Sequence, residues 1–163
     1  MFKSILLLSS LLFTASGCSN NETAESKSNP LLEEWTRPFS GVPAFDKMDI
    51  SLIQEAMDKG MESNLDEIEA IANNTKAPTF DNTTLAMEKS GAILNRVCPY
   101  YSPFTGSLSN DAVREVEEIL VPKLSDYSSK ITQNDKLFQR IKAIYTGSLE
   151  SPLAAAKSST INL

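Results

Sequence analysis

Apolar residues recur at steps of three and four along most of the chain between residues 49 and 145, which is the period of amphipathic helices. No stretch alternates apolar and polar residues in the manner of a half-buried strand, and no internal repeat is visible. The sequence therefore predicts an all-α fold of about four helices. The 163 residues, 41% hydrophobic and 22% charged, are enough for one domain with a hydrophobic core.

The first helix is predicted from about Asp49 to Asn73, with either Asp49 or Ser51 as its N-cap. Gly60 lies inside this helix and is expected to weaken it by about 1 kcal/mol relative to alanine. The pattern predicts one buried face, made of Ile53, Met57, Met61, Leu65, Ile68 and Ala72.

The second helix is predicted to begin in the stretch "PTFDNTTLAMEKSG", with Thr79 as N-cap and Asp81 in the first turn, where the helix dipole favours a negative charge. Ser90-Gly91 lacks bulk in the middle of this helix, so a neighbouring helix is expected to approach closely there. Pro99 and Pro103 are predicted to end the helix.

Two further helices follow. The third is predicted from Ser109 or Asn110 to about Ile131, with a kink at Pro122. The fourth is predicted from Asp135 to Tyr145, with Gly147 at its C-cap. The periodicity places the following residues on the buried faces: Val113, Val116, Leu120, Leu124, Tyr127 and Ile131 on the third helix, and Leu137, Phe138, Ile141 and Ile144 on the fourth.

Residues 30–48, which we name the arm, are rich in proline and carry the aromatic residues Trp35, Phe39 and Phe45. Two interpretations have equal weight. Either these aromatic side chains dock onto the helices of the same chain, or the arm contacts another domain. Residues 148–163 lose the helical period and are interpreted as an atypical tail.

The N-terminus has the layout of a bacterial lipoprotein signal peptide, predicted over residues 1–17. Lys3 precedes an apolar run from Ile5 to Phe13, and the sequence Ala-Ser-Gly then leads to Cys18, which we expect to be lipidated. Residues 18–29 are polar and are expected to form a tether. The predicted location is the bacterial cell envelope, lipid-anchored to the membrane at the outer membrane or facing the periplasm. Ordinary secretion with an incidental cysteine is the alternative.

Composition excludes several kinds of chemistry. Lysine and arginine number 15 against 21 acidic residues, giving a net charge of −6, which argues against a nucleic-acid partner. The chain contains no histidine, so neither a Ser-His-Asp triad nor a histidine-bound zinc site is available. Cys98 is expected to be a buried, inert thiol. We therefore predict no catalytic and no metal-binding residue. The acidic clusters, interpreted as solvated faces, are Asp66, Glu67 and Glu69, and Glu115, Glu117 and Glu118.

Three stretches carry a resemblance: "NPLLEEWTRPFSGVPAFDKM", "EIEAIANNTKAPTFDNTTLAMEKSGAILNRV" and "VPKLSDYSSKITQNDKLFQRIKAIY". In their order and spacing, from Asn29 to Tyr145, they resemble the N-terminal region of the thimet-oligopeptidase family of zinc peptidases, and within it the bacterial peptidyl-dipeptidase branch. The resemblance implies a mainly helical peptidase whose narrow channel admits short peptides. In that family an H-E-x-x-H helix and a later glutamate hold the zinc.

None of those zinc-binding positions has a counterpart here, so no catalytic or metal residue is carried over. The resemblance implies that residues 30–147 form the helical wall of the channel and are inactive alone, with short peptides as partners when the rest of the peptidase is present. After Tyr145 the sequence departs from the family pattern, which a frame change, an early stop or a gene fragment would each explain. The alternative is a self-sufficient helical lipoprotein that binds a peptide or protein partner.

Overall fold

The computed structural model describes residues 28–36 and 41–149, and this part of the chain is all-α, as predicted, with no strand. Short 3₁₀ turns at Pro30–Leu32 and Phe45–Lys47 precede the helices. The helices are α1 (Ile50–Ala72), a π-helical turn (Phe80–Thr84) that continues into the short α2 (Leu85–Lys89), α3 (Ala92–Gly106), α4 (Asp111–Thr132) and α5 (Asp135–Leu149).

Helix α1 lies at the centre of the fold and packs against α3, α4 and α5. Its predicted buried face is confirmed except at Leu65, which is only half-buried. The side chains of α1 contribute to two separate apolar clusters, because its first half faces α3 and α4 while its C-terminal end faces α5. The buried members of the larger cluster are Leu31, Ile53, Ala56, Met57, Met61, Leu94, Val97, Tyr100, Phe104, Val113 and Leu120, and those of the smaller are Ile68, Ile71, Ala72 and Leu137.

The helix starts are fixed by local capping, as the sequence indicated. The Asp49 carboxylate accepts the backbone N–H of Ser51 at 2.9 Å, and this hydrogen bond is the main reason that the pKa of Asp49 is lowered. Thr79 forms a reciprocal capping box with Asn82. Asn110 caps α4 by accepting the N–H of Val113 at 3.0 Å.

The predicted second helix is divided in two, which corrects the prediction of one continuous helix. Gly91 has φ 75° and ψ 21°, a left-handed conformation that ends α2 and directs the chain into α3. Pro99 and Pro103 do not end the helix, because α3 continues to Gly106. Each proline removes a backbone donor, but the buried side chains of Tyr100 and Phe104 hold this segment against the core.

The last two helices also differ in part from the prediction. Helix α4 continues through Pro122, and the kink expected there stays a prediction. Helix α5 continues to Leu149, so Gly147 lies inside it and is not its C-cap. Leu137 is buried as predicted and Ile144 is half-buried, but Phe138 and Ile141 are exposed, because only one narrow side of α5 faces the rest of the chain.

Gly60 allows α1 and α3 to come into close contact. A Cβ atom built at Gly60 would lie 2.9 Å from the Cα of Leu94 and 3.2 Å from its Cβ. We expect Gly60→Ala to lower the free energy of unfolding by about 1–2 kcal/mol, because the overpacking cost exceeds the gain in helix propensity. Urea unfolding followed by circular dichroism measures this change.

Gly106→Ala is the matched control, since a Cβ there meets nothing within 4 Å. An equal or higher stability of the Gly60→Ala protein would show that α1 and α3 separate at little cost.

Candidate functional site

An open groove of about 360 Å³ lies between α1 and α4 and has room for an extended ligand. Its apolar lining comes from Met61 and Leu65 of α1, and the phenol ring of Tyr127 lines it from α4. The charged residues that complete the lining are Asp58, Glu62, Asp66, Lys123, Asp126 and Lys130.

Both lysines of the groove are paired with carboxylates. Lys123 Nζ lies 2.6 Å from Asp58 Oδ2, across the two helices, and Lys130 Nζ lies 2.7 Å from Asp126 Oδ2 within α4. All four side chains are at least 37% exposed, so each pair contributes only about 0–1 kcal/mol to stability. The groove therefore presents a mildly acidic, apolar-floored surface in which both lysines are already paired.

A set of hydrogen bonds beside the groove joins α1 to the α2–α3 junction and to α4. The buried Asn64 accepts a hydrogen bond from the hydroxyl of Tyr127. Glu67 Oε2 accepts the backbone N–H of Gly91 at 2.6 Å. The pKa of Tyr127 is raised, mainly because the phenol is desolvated and to a lesser extent because negative charge on Cys98 and Glu67 would repel a phenolate. The hydroxyl therefore stays protonated and acts as a donor.

The side chains of the two acidic clusters are mostly exposed, in line with the predicted solvated faces. Four of the six side chains are exposed and Glu117 is half-buried. The exposed ones are Asp66, Glu69, Glu115 and Glu118. Glu67 is the exception to the predicted solvated face, since it is half-buried and holds the Gly91 backbone. The sequence showed Glu67 only as one member of a charged run, so its structural role was missed.

A protein zinc site requires a cluster of ligand side chains. Among residues 28–36 and 41–149, no group of three or more histidine, cysteine, aspartate or glutamate side chains is placed to hold a metal ion. These residues do not fit the zinc that the resemblance implies for the whole family, and no step involving zinc is assigned to them.

Cys98 is exposed, which corrects the prediction that it is buried. It lies on α3 on the side away from the core, because the neighbouring positions Val97 and Tyr100 take the inward direction. Partial desolvation by its surroundings nevertheless raises the pKa of the thiol above its ordinary value. The thiol is therefore mostly protonated and weakly nucleophilic at neutral pH.

The reactivity of Cys98 is expected to depend on pH in a defined direction. In a Cys18→Ser variant, the rate of alkylation by iodoacetamide should reach half its maximum at a higher pH in the folded protein than in urea, because desolvation disfavours the thiolate. The same variant in urea is the control, and its midpoint should fall to the ordinary cysteine value. A folded-state midpoint at or below the urea value would contradict the raised pKa.

Arg140 of α5 is a buried cation that sequence analysis did not single out. It is 6% exposed and donates four hydrogen bonds to neutral oxygens, from Nη1 to the carbonyls of Asn74 (2.6 Å) and Lys76 (3.1 Å), from Nη2 to Asn82 Oδ1 (2.8 Å) and from Nε to Thr83 Oγ1 (3.2 Å). It thereby ties α5 to the loop after α1 and to the π-helical turn. The sequence feature that could have indicated the burial of Arg140 is its position three residues after Leu137, on the inward face of the helix.

Two aromatic residues of the arm pack against α3. The ring centroid of Trp35 lies 6.4 Å from that of the fully buried Tyr100, and the ring centroid of Phe45 lies 5.9 Å from it, both edge-to-face. The Tyr100 hydroxyl accepts the backbone N–H of Ala44 at 2.8 Å. Phe39, the third aromatic residue singled out in the sequence, lies outside the described residues.

The predicted signal peptide, Cys18 and the tail after residue 149 also lie outside the described residues. Among the helices that are described, none is long and apolar enough to cross a bilayer.

Comparison with known proteins matches this helical region to one group of enzymes. The chain is 37% identical over 117 residues to the dipeptidyl carboxypeptidase of Salmonella typhimurium and 35% identical over 117 residues to that of Escherichia coli. The chain is a homologue of the dipeptidyl carboxypeptidases. The match covers 72% of this chain and 17% of each relative, and its length equals that of the stretch from Asn29 to Tyr145. No protein-family model matches the chain.

The resemblance drawn from the sequence is thus confirmed, and the homology is consistent with an N-terminal region of the dipeptidyl carboxypeptidase family. Because the chain spans about one sixth of the relatives' length, the relationship to a peptidase is shown for the helical region only.

Proposed function

We propose that the helical region forms one wall of the peptide channel of a dipeptidyl carboxypeptidase-type zinc peptidase, which releases dipeptides from the C-termini of short peptides. The observation that carries this proposal is the identity of 35–37% with two dipeptidyl carboxypeptidases over 117 residues. The groove between α1 and α4 supports it, because an open, apolar-floored groove suits contact with an extended chain.

The catalytic chemistry is assigned to polypeptide other than these 163 residues, since the chain contains no histidine for an H-E-x-x-H zinc site. The chain alone is therefore proposed to bind or shape the channel without cleaving peptides. The alternative of an independent binding lipoprotein has no comparable support, because the homology is to peptidases.

A chimaera tests this proposal. In the E. coli dipeptidyl carboxypeptidase, the 117 matched residues are replaced by those of this chain, and release of the C-terminal dipeptide from a short peptide is measured. We expect kcat/KM within about tenfold of the parent enzyme, a difference of about 1.4 kcal/mol. The parent with the matched segment deleted should be inactive. A folded chimaera without turnover, or zinc-dependent turnover by the purified 163-residue chain, would contradict the proposal.

We further propose that Cys18 is the lipidated first residue of the mature protein and anchors it to the bacterial cell envelope. The support is the Lys3, apolar run and Ala-Ser-Gly-Cys pattern of the N-terminus. Radiolabelled palmitate should be incorporated into the wild type and the Cys98→Ser control but not into Cys18→Ser, which should also leave the membrane fraction. Label retained in Cys18→Ser, or absent from the wild type, refutes the anchor.

A further inference from the structure

Helix α5 presents a second apolar face, directed away from the core. Phe138, Ile141 and Tyr145 are 55%, 40% and 64% exposed, and their spacing of three and four residues places them on one side of the helix. The inward side of the same helix carries Leu137 and Arg140, which are 2% and 6% exposed. The helix is therefore built to contact neighbours on two sides, and only one of them is occupied by the described residues.

Three large apolar side chains in register differ from the scattered exposed apolar residues of an ordinary surface. Single exposed residues are common, whereas a contiguous apolar patch on a soluble protein marks an interaction site. Covering such a patch is favourable, because apolar surface is removed from water. We name Phe138, Ile141 and Tyr145 the outer face of α5.

The charges beside the outer face restrict its partner. Lys142, four residues after Phe138 and three before Tyr145, is an exposed cation at the edge of this face, and Asp135 is the one acidic residue of α5. By contrast, the exposed Val121 of α4 is flanked by Arg114, Glu117 and Glu118. The outer face therefore suits an apolar surface that offers a carboxylate to Lys142.

The relatives identify the occupant. The match accounts for 17% of each dipeptidyl carboxypeptidase, so most of the polypeptide of those enzymes lies outside this helical region. Resting on the proposed function, we propose that the outer face of α5 is the surface on which the catalytic remainder of a dipeptidyl carboxypeptidase-type polypeptide packs. A second copy of this chain and a lipid surface are the competing occupants.

Thiol labelling in the chimaera tests this docking. The single reactive thiol is Ile141→Cys, placed in a Cys18→Ser/Cys98→Ser background. It is labelled with a maleimide both in the 163-residue chain and in the chimaera. In the chimaera, any cysteine outside the matched segment is also replaced. We expect labelling of residue 141 to be about tenfold slower in the chimaera, because docking excludes the reagent. Val121→Cys on α4 is the matched exposed control, and its rate should change by less than about twofold.

Equal labelling of residue 141 in both proteins overturns the docking. If labelling of the free chain slows as the protein concentration rises, the face binds a second copy of the chain. If it slows only when phosphatidylglycerol vesicles are added, the face binds lipid. Either result overturns the proposal. If the chimaera does not accumulate, cysteine is placed in the full-length E. coli enzyme at the position aligned with Ile141, with its other thiols replaced, and labelling as fast as in the free chain overturns the docking.

The peptidase activity of the chimaera tests the proposed function, and the protection of residue 141 from labelling tests the docking surface. An active chimaera with an unprotected residue 141 refutes the docking surface and leaves the proposed function intact. An inactive chimaera with residue 141 protected refutes the proposed function and supports the docking.

Discussion

Replacing Tyr100 with alanine is expected to lower the free energy of unfolding by about 4 kcal/mol, the cost of deleting a large buried aromatic side chain. Tyr100 is fully buried in α3, and both Trp35 and Phe45 pack edge-to-face on its ring. Its hydroxyl also accepts the backbone N–H of Ala44. The substitution therefore opens a cavity in the core and removes the surface that holds the arm.

Urea unfolding measures the stability, and fluorescence of the single tryptophan, Trp35, reports on the arm separately. In Tyr100→Ala the emission should shift to the red. Tyr100→Phe isolates the hydroxyl and should cost about 1 kcal/mol. Tyr101→Ala, at a half-buried neighbouring position, is the matched control and should leave the Trp35 emission unchanged. Unaltered stability and emission in Tyr100→Ala would show that the arm is held by other contacts.

Replacing Arg140 with methionine is expected to cost about 3 kcal/mol of unfolding free energy, because hydrogen bonds to a buried charge are lost together. Methionine fills much of the same volume but donates nothing. The carbonyls of Asn74 and Lys76 then lose the donor that joins them to α5, and so do Asn82 Oδ1 and Thr83 Oγ1. We expect α5 to separate from the rest of the fold at lower denaturant than the other helices.

Hydrogen exchange read out by mass spectrometry locates this effect, and urea unfolding gives its size. Lys142→Met on the exposed side of α5 is the matched control and should change stability by no more than about 0.5 kcal/mol. Arg140→Lys keeps the charge but lacks the planar set of donors, so it should recover only part of the loss. Fast exchange spread evenly over all helices in Arg140→Met would argue against a local role.

Sequence pattern was sufficient where the cause of structure is local. Helix starts at Asp49, Thr79 and Asn110 follow from a side chain that reaches a backbone N–H two or three residues ahead. The buried face of α1 follows from the period of its apolar residues, since a central helix has neighbours on that side. The relationship to peptidases was likewise visible in the order and spacing of whole segments.

The candidate site was less predictable, because its groove forms between helices far apart in sequence. Asp58 and Lys123 meet across the groove although 65 residues separate them. Glu67 had no feature that distinguished it from its acidic neighbours, and its contact with Gly91 depends on how α1 lies against α3. The exposure of Cys98 depends on which side of α3 faces the core.

The sequence by itself determined the all-α class, the capped helix starts and the homology to dipeptidyl carboxypeptidases, because each is encoded in short segments or in their order. Only the tertiary structure decided where the chain breaks, at Gly91, and where it stays helical, through Pro99 and Pro103. It also decided which of the apolar residues of α5 face inward. These outcomes depend on the free energy of packing against distant residues, which outweighs local propensity and leaves no mark on the local pattern.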